Sequence, residues 1–158
     1  MIFHASIPAD DPERVARVLA EVLCGGHHPF HVGRQSFMAF GGTETGPGTG
    51  IEVYPRDEVM VPGEGETGMV EMAHLDNPPK YGCFHLAIGT RLSKDKIIAI
   101  GKREGWRTVH CNRGRFEVVE FWVENSLMIE FLDPPMQAQY TALVTGRARG
   151  KPAGRTTA

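Results

Sequence analysis

An internal repeat is the feature that most constrains this 158-residue chain. The segment IFHASI, which contains His4, is similar to CFHLAI, which contains His85. The segment GIEVYP, which contains Glu52, is similar to MIEFLDP, which contains Glu130. The two histidines are 81 positions apart and the two glutamates are 78 apart. Landmarks that share nearly one offset indicate two copies of a single structural unit.

Each copy is predicted to form a strand, a helix and three further strands. Asp11 followed by Pro12 is typical of a helix start, and Ser93 holds the matching position in the second copy. The helices are predicted over residues 12–24 and 94–104, and each is followed by glycine. The predicted strands are residues 2–8, 29–32, 35–41 and 50–55, then 83–89, 107–112, 116–124 and 127–132.

These elements predict one domain with two units and two segments outside them. The first unit is residues 1–55 and the second is residues 83–133. Residues 56–82, rich in Gly, Pro and acid, are predicted to be a surface connector. The tail, residues 134–158, is basic, and its last dozen residues are expected to be disordered.

Composition excludes several classes of function. Net charge is −2, which gives no overall field for nucleic acid or anionic lipid, and no apolar run is long enough to span a bilayer. The N-terminus has no signal-peptide pattern, and the three cysteines have no CxxC spacing. We therefore expect a cytoplasmic protein with reduced thiols, and neither nucleic acid nor a membrane as a partner.

Strand alternation places the four repeated residues on one kind of surface. In the first and last predicted strands of each unit, aliphatic and aromatic side chains share the face that would pack on helices. His4, Glu52, His85 and Glu130 lie on the opposite faces. Imidazole and carboxylate groups together suit Zn, Ni, Co, Fe or Mn. The repeat therefore predicts a divalent metal site with these four residues as ligands.

Paired units of this kind, each with a candidate ligand on its first and last strand, resemble the vicinal oxygen chelate superfamily. That superfamily includes glyoxalase I, methylmalonyl-CoA epimerase, ring-cleaving extradiol dioxygenases, and the fosfomycin and bleomycin resistance proteins. The resemblance covers residues 2–133 apart from the connector. It implies an α+β fold in which two βαβββ units form a curved eight-stranded mixed sheet around a cleft, with the helices on the outer face.

The four predicted ligands match the metal positions of that superfamily and look most like the set of bacterial-type glyoxalase I. This resemblance implies a homodimeric, metal-dependent lyase or isomerase for a small substrate with two neighbouring oxygens. The metal would stabilise an enediolate or enolate, and a carboxylate would move the proton. By the same resemblance Glu130 is both ligand and proton shuttle, and Glu120 tunes its basicity.

Two other functions stay open. A non-catalytic small-molecule binding or resistance protein of the bleomycin-resistance type would trap its ligand between aromatic walls such as Tyr54 and Trp122, which share the ligand faces. An extradiol-type dioxygenase is a further alternative, although such enzymes typically use two histidines and one carboxylate. The sequence leaves open whether the cleft forms within one chain or between two.

The last predicted hairpin adds detail to this site. A tight turn at residues 124–126 pairs Glu120 with Glu130, so two like charges face each other and a divalent cation would relieve their repulsion. Met128 shares their face. His110, with Arg113 close by in sequence, is a candidate contact for an anionic substrate.

Overall fold

The computed structural model describes residues 2–42, 48–66 and 68–148. Its elements follow the predicted order, with an additional strand pair in the connector and an additional helix in the tail. The elements are β1 (His4–Ala9), α1 (Pro12–Val22), β2 (Gly26–Phe30), β3 (Ser36–Phe40), β4 (Gly50–Pro55), β5 (Glu58–Val61), β6 (Glu71–His74), β7 (Leu86–Gly89), α2 (Lys94–Glu104), β8 (Thr108–Asn112), β9 (Glu117–Val123), β10 (Leu127–Leu132) and α3 (Pro134–Ala148).

The two units have the same topology. One four-stranded sheet has the order β1-β4-β3-β2 and the other has the equivalent order β7-β10-β9-β8. In both sheets the first and last strands of the unit pair in parallel, and the remaining pairs are antiparallel. The α+β class and the repeated βαβββ units are therefore confirmed. The predicted arrangement of eight strands in one sheet is not confirmed: among the described residues the strands pair as two four-stranded sheets, with β1 and β7 at their edges.

The helix boundaries follow from local chemistry. The Asp11 side chain accepts a hydrogen bond from the Arg14 backbone N–H at 3.1 Å and so caps α1 as predicted. Helix α1 ends at Val22, two residues before the predicted end, and the left-handed backbone of Cys24, φ 56°, directly precedes the predicted glycine stop. At α2, Ser93 makes no side-chain cap, and Asp133 accepts from the Lys94 N–H instead.

One continuous core lies between the sheets and the helices. The predicted apolar faces of the strands are buried, with Ile7, Ile51 and Val53 in the first unit and Phe121 and Ile129 in the second. The alternation that buries these residues sends the neighbouring positions to the opposite faces of the sheets, where the candidate site lies.

Polar contacts hold the two units together. The Glu124 carboxylate, at the β9–β10 turn, accepts hydrogen bonds from the backbone N–H groups of Asp10 and Asp11, which precede α1. Arg56, which follows β4, donates to Asp10, Glu124 and the Ser126 hydroxyl. The C-terminal end of β4 is thereby held beside the last hairpin.

The segments outside the repeat are more ordered than the sequence predicts. The connector contains an antiparallel pair, β5 and β6, whose four-residue strands were too short to detect among its Gly and Pro residues. The tail forms α3, where Met136 is buried and Tyr140 packs edge-on against Phe116. The predicted disordered end lies almost wholly outside the described residues. No described helix has both the length and the hydropathy needed to cross a membrane.

Candidate functional site

Glu52 is a buried carboxylate at the centre of β4. The hydroxyl groups of Ser6 and Tyr54 donate to its Oε2 atom at 2.8 and 3.2 Å. Its other oxygen, Oε1, lies 3.8 Å from Nε2 of His4. Ser6 faces Glu52 because β1 and β4 pair in that register, and strand alternation places Tyr54 on the same face. The structure thus brings together the two predicted ligands of the first unit.

The surroundings of Glu52 differ from those of other shielded carboxylates in the protein. Glu58, Glu104, Glu120, Glu124 and Glu130 each have an arginine nitrogen within 3.7 Å. Glu52 is 10% exposed at its side chain, and its ion-pairing partner among the described residues is His4. A buried carboxylate is costly without a compensating cation. Among the described residues, Glu52 forms no ion pair with an arginine or lysine.

Tyr54 fixes the orientation of that carboxylate. Burial, together with the negative charge of Glu52, raises the pKa of Tyr54 to about 12. Its hydroxyl group consequently stays protonated and keeps donating at physiological pH. The ring of Phe30 meets the Tyr54 ring edge-on, with centroids 6.1 Å apart, and supports its position.

The second unit holds a different cluster. Glu120 and Glu130 are directly paired across β9 and β10, and Phe121 faces Ile129, as the hairpin register predicts. Arg113, however, bridges the two carboxylates, with nitrogen–oxygen distances of 2.6 Å to Glu120 and 3.3 Å to Glu130. The expected repulsion between the carboxylates is therefore reduced by the positive charge of Arg113 between them.

Glu120 is the firmer end of this bridge. Burial acts to raise its pKa, but hydrogen bonds from Trp122, Arg113 and Cys111 outweigh burial and hold the pKa of Glu120 below its usual range. Trp122 donates through Nε1 at 3.1 Å. Glu120 is thus an ionised anchor for Arg113, which touches Glu130 more loosely.

The structure does not gather all four predicted ligands. In the described parts of the chain, no three or more His, Cys, Asp or Glu side chains form a group able to hold a metal ion. His85 lies just before β7 and is exposed, and its side chain makes no hydrogen bond or ion pair with the described residues. Three of the four predicted ligands lie in strands, His4 and Glu52 in one sheet and Glu130 in the other, and these two sheets do not pair with each other among the described residues.

The remaining site predictions are divided between the faces of the sheet. Met128 is paired with Trp122, on the face of Glu130, as predicted. His110 is paired with Val119, on the helix side of the sheet, and its Nε2 lies 3.3 Å from Glu117. The structure therefore does not bring His110 together with Arg113 and the carboxylate pair.

A cleft beside Glu52 was not predicted. It has a volume of about 270 Å³ and lies between the β1–β4 surface and the β5–β6 hairpin. Ser6 and Tyr54, the two donors to Glu52, are part of its wall, and Met60 and Met72 contribute from the hairpin. The pairing of β5 with β6 creates this cleft. Because the sequence does not predict that pair, it does not predict the cleft either.

The donor set fits a divalent ion only in part. Zinc bonds of about 2.0 Å to nitrogen and about 2.1 Å to oxygen sum to more than the distance between His4 Nε2 and Glu52 Oε1, so one ion can touch both atoms. These two residues fit two coordination positions. In the described part of the chain no third His, Cys, Asp or Glu joins them in a group able to hold a metal ion, and Glu130 lies 3.3 Å from Arg113.

Comparison with known proteins is informative at the level of fold. No protein-family model and no curated protein matches the sequence. A hypothetical protein from S. aureus has a similar structure, with a TM-score of 0.51, 11% identity, and coverage of 84% of this chain and 92% of that one.

Two further solved structures are similar. The trypanothione-dependent glyoxalase I of Leishmania major has a TM-score of 0.49, 15% identity, and coverage of 95% and 97% of the two chains. A glyoxylase/bleomycin resistance protein/dioxygenase domain from Frankia sp. has a TM-score of 0.46, 13% identity, and coverage of 84% and 96%. The S. aureus protein shows a similar fold, and the paired βαβββ units agree with the fold that the predicted resemblance implies.

Proposed function

We propose that this protein is a glyoxalase-like, metal-dependent lyase or isomerase that acts on a small substrate with two neighbouring oxygens. The observation that carries the proposal is the buried Glu52 carboxylate, whose free oxygen faces His4 rather than an arginine. Imidazole and carboxylate ligands suit Ni, Zn, Co, Mn or Fe. The substrate is a small molecule, and three free thiols suit a cytoplasmic setting.

In this proposal, the two remaining metal ligands come from a second copy of the chain. His85 and Glu130 of the partner subunit would complete the ligand set, giving a homodimer with two identical sites. Exposed apolar residues flank the ligands at the unpaired edges: Phe3 precedes His4 and is 63% exposed, and Phe84 precedes His85 and is 50% exposed. Pairing two copies at these edges would cover both rings.

The residues of the chain have distinct proposed roles. A bound divalent metal supplies Lewis-acid polarisation of the substrate oxygens. Ser6 and Tyr54 hold Oε2 of Glu52, so that Oε1 keeps one orientation. Glu130 moves a proton at the carbon next to the carbonyl, and Glu120 is a positioning residue that holds Arg113 beside it.

Metal reconstitution followed by a substrate screen tests this function. The purified protein is stripped with chelator, reloaded separately with Ni, Co, Zn and Mn, and screened with 2-oxoaldehyde hemithioacetals and acyl-CoA epimers. We expect turnover with at least one metal, loss of turnover in Glu52→Gln, and loss on chelation. Metal occupancy below about 0.1 equivalent under all four conditions would overturn the proposal.

One observation favours a second function, non-catalytic binding of a small molecule. Arg113 bridges Glu120 and Glu130 and offsets part of their charge, so this pair has a counter-ion from the chain itself. A sequestering protein needs only a cleft with suitable walls. Thermal stabilisation by a ligand that persists in chelator, without turnover of any screened compound, would support this function over catalysis.

A further inference from the structure

The cleft beneath the β5–β6 hairpin has apolar walls and one polar end. The walls come from the first strand, the hairpin and the segment that follows it: Ile7, Pro8, Val59, Met60, Met72, Leu75, Pro78 and Pro79. Ser6 and Tyr54 form the polar end, where both hydroxyl groups donate to Glu52. A ligand lying in the cleft therefore has an apolar surface along most of its length and the Glu52 cluster at one end.

The charged residues of the cleft are already engaged. The Arg56 side chain is 11% exposed and is held by Asp10 and Glu124. The Glu58 carboxylate accepts from the backbone of Arg34 and lies near its guanidinium group. Neither charge is available to a ligand without breaking these contacts, so the group that enters the cleft is uncharged.

Volume sets the size of that group. A cavity of about 150 Å³ lined by aliphatic and aromatic residues is known to admit benzene. The volume here, about 270 Å³, is sufficient for one six-membered ring and a short substituent. Two methionine side chains in the wall adapt their shape to an aromatic face and make favourable sulphur–ring contacts.

We propose that the cleft binds the apolar part of the substrate, an uncharged six-membered ring or a branched chain of similar size, attached to the neighbouring oxygens. This inference rests on the proposed function, because Glu52 marks the end at which the oxygens lie. The Ser6 and Tyr54 hydroxyl groups have used their hydrogens on Glu52, so their lone pairs accept from a hydroxyl group of the substrate.

A matched pair of neutral probes tests the inference. Hydroxyacetone and 2-hydroxyacetophenone both carry a hydroxyl group next to a ketone and differ in a methyl against a phenyl group. Both are titrated into protein labelled with [methyl-¹³C]methionine, in chelator, so that the outcome does not depend on a metal. We expect the phenyl compound to bind at least about tenfold more tightly, because the ring removes more apolar surface from water.

The labelled methionines report where the probe binds. Met60 and Met72 lie in the cleft wall, whereas Met128 and Met136 lie in the second unit and in α3. The methyl signals of Met60 and Met72 should shift on titration, and those of Met128 and Met136 should not. Equal affinity for the two probes, or shifts confined to Met128 and Met136, would overturn the inference.

Two tryptophan substitutions provide a matched control. Met72→Trp fills the cleft, while Met69→Trp places the same ring in the same connector, at a side chain 83% exposed and outside the cleft wall. We expect Met72→Trp to reduce the preference for the phenyl probe below about threefold and Met69→Trp to leave it unchanged. Equal effects of both substitutions would contradict the inference. Phenyl binding in chelator together with failed metal reconstitution would overturn the metal-dependent function while retaining the cleft as a binding site.

Discussion

Replacing Arg113 with glutamine tests the bridge between Glu120 and Glu130. The guanidinium group hydrogen-bonds to both carboxylates, which are 16% and 12% exposed, whereas Arg113 itself is 40% exposed. Hydrogen bonds to charged groups contribute about 1.5–3 kcal/mol to stability. Because Arg113 is partly exposed to solvent, the expected loss lies in the lower half of that range. Loss of the bridge also leaves two like charges paired across the strands. We expect Arg113→Gln to lower the free energy of unfolding by about 2 kcal/mol.

The expected loss of stability in Arg113→Gln is large enough to measure by thermal unfolding. For a chain of this length, a loss of about 2 kcal/mol lowers Tm by roughly 4–8 °C, which differential scanning calorimetry in chelator resolves easily. Arg115→Gln is the control, because Arg115 is an exposed arginine two positions away. We expect the control to change Tm by less than about 1 °C.

A double-mutant cycle separates charge repulsion from general damage. Glu120→Gln alone removes the shorter arm of the bridge, so it should destabilise the protein. In Arg113→Gln/Glu120→Gln the two carboxylates no longer face each other, so the double variant should be at least about 1 kcal/mol more stable than additivity predicts. Additive losses, or an unchanged Tm in Arg113→Gln, would refute the assignment of Arg113 as the counter-ion of both carboxylates.

The same bridge predicts a pH dependence of definite sign. The pKa of Glu120 is lowered in the folded protein, so its contribution to stability is present above the pKa of the unfolded chain and is lost as pH falls through the lowered value. The difference in stability between wild type and Arg113→Gln should therefore be full at pH 7 and shrink as Glu120 is protonated. A difference that grows as the pH falls would contradict this account.

Two further predictions follow from Tyr54 and Glu124. Tyr54 should ionise near pH 12, and this absorbance step should be missing in Tyr54→Phe. Its stabilising contribution is full below about pH 10 and is lost as pH rises through 12. Glu124→Gln weakens the contacts to Asp10, Asp11 and Arg56 and should lower the free energy of unfolding in urea by about 2 kcal/mol, whereas a change below about 0.5 kcal/mol would refute its role in joining the units.

The repeat in the sequence predicts the fold well because the same local pattern of strands and helix occurs in both units. Strand alternation is sufficient to separate Ile51 from Glu52, and the even register of the last hairpin is sufficient to pair Glu120 with Glu130. A three-residue turn, residues 124–126, with left-handed Glu124 and Asn125, enforces that register. Strand faces and hairpin register depend on residues that are close together in the chain, so a single sequence is sufficient to predict them.

Features that depend on distant segments were not predictable in the same way. Arg113 lies beyond the end of β8, and no spacing rule places its guanidinium group between two carboxylates of another hairpin. The β5–β6 pair and its cleft depend on two short segments meeting across nine residues of Gly-rich chain. Whether two sheets join at their edges depends on how the two units pack. The alternation of side chains along each strand does not determine that packing.

The most direct test of the central claim is metal binding by a matched pair of histidine variants. His4 faces the free oxygen of Glu52, whereas His27 is an exposed residue of β2. Isothermal titration of Zn²⁺ and Ni²⁺ into stripped wild type, His4→Ala and His27→Ala compares the three proteins under one condition. The account predicts that His4→Ala weakens binding at least about tenfold and that His27→Ala binds as wild type. Equal loss in the two variants, or metal binding unaffected by His4→Ala, would contradict it.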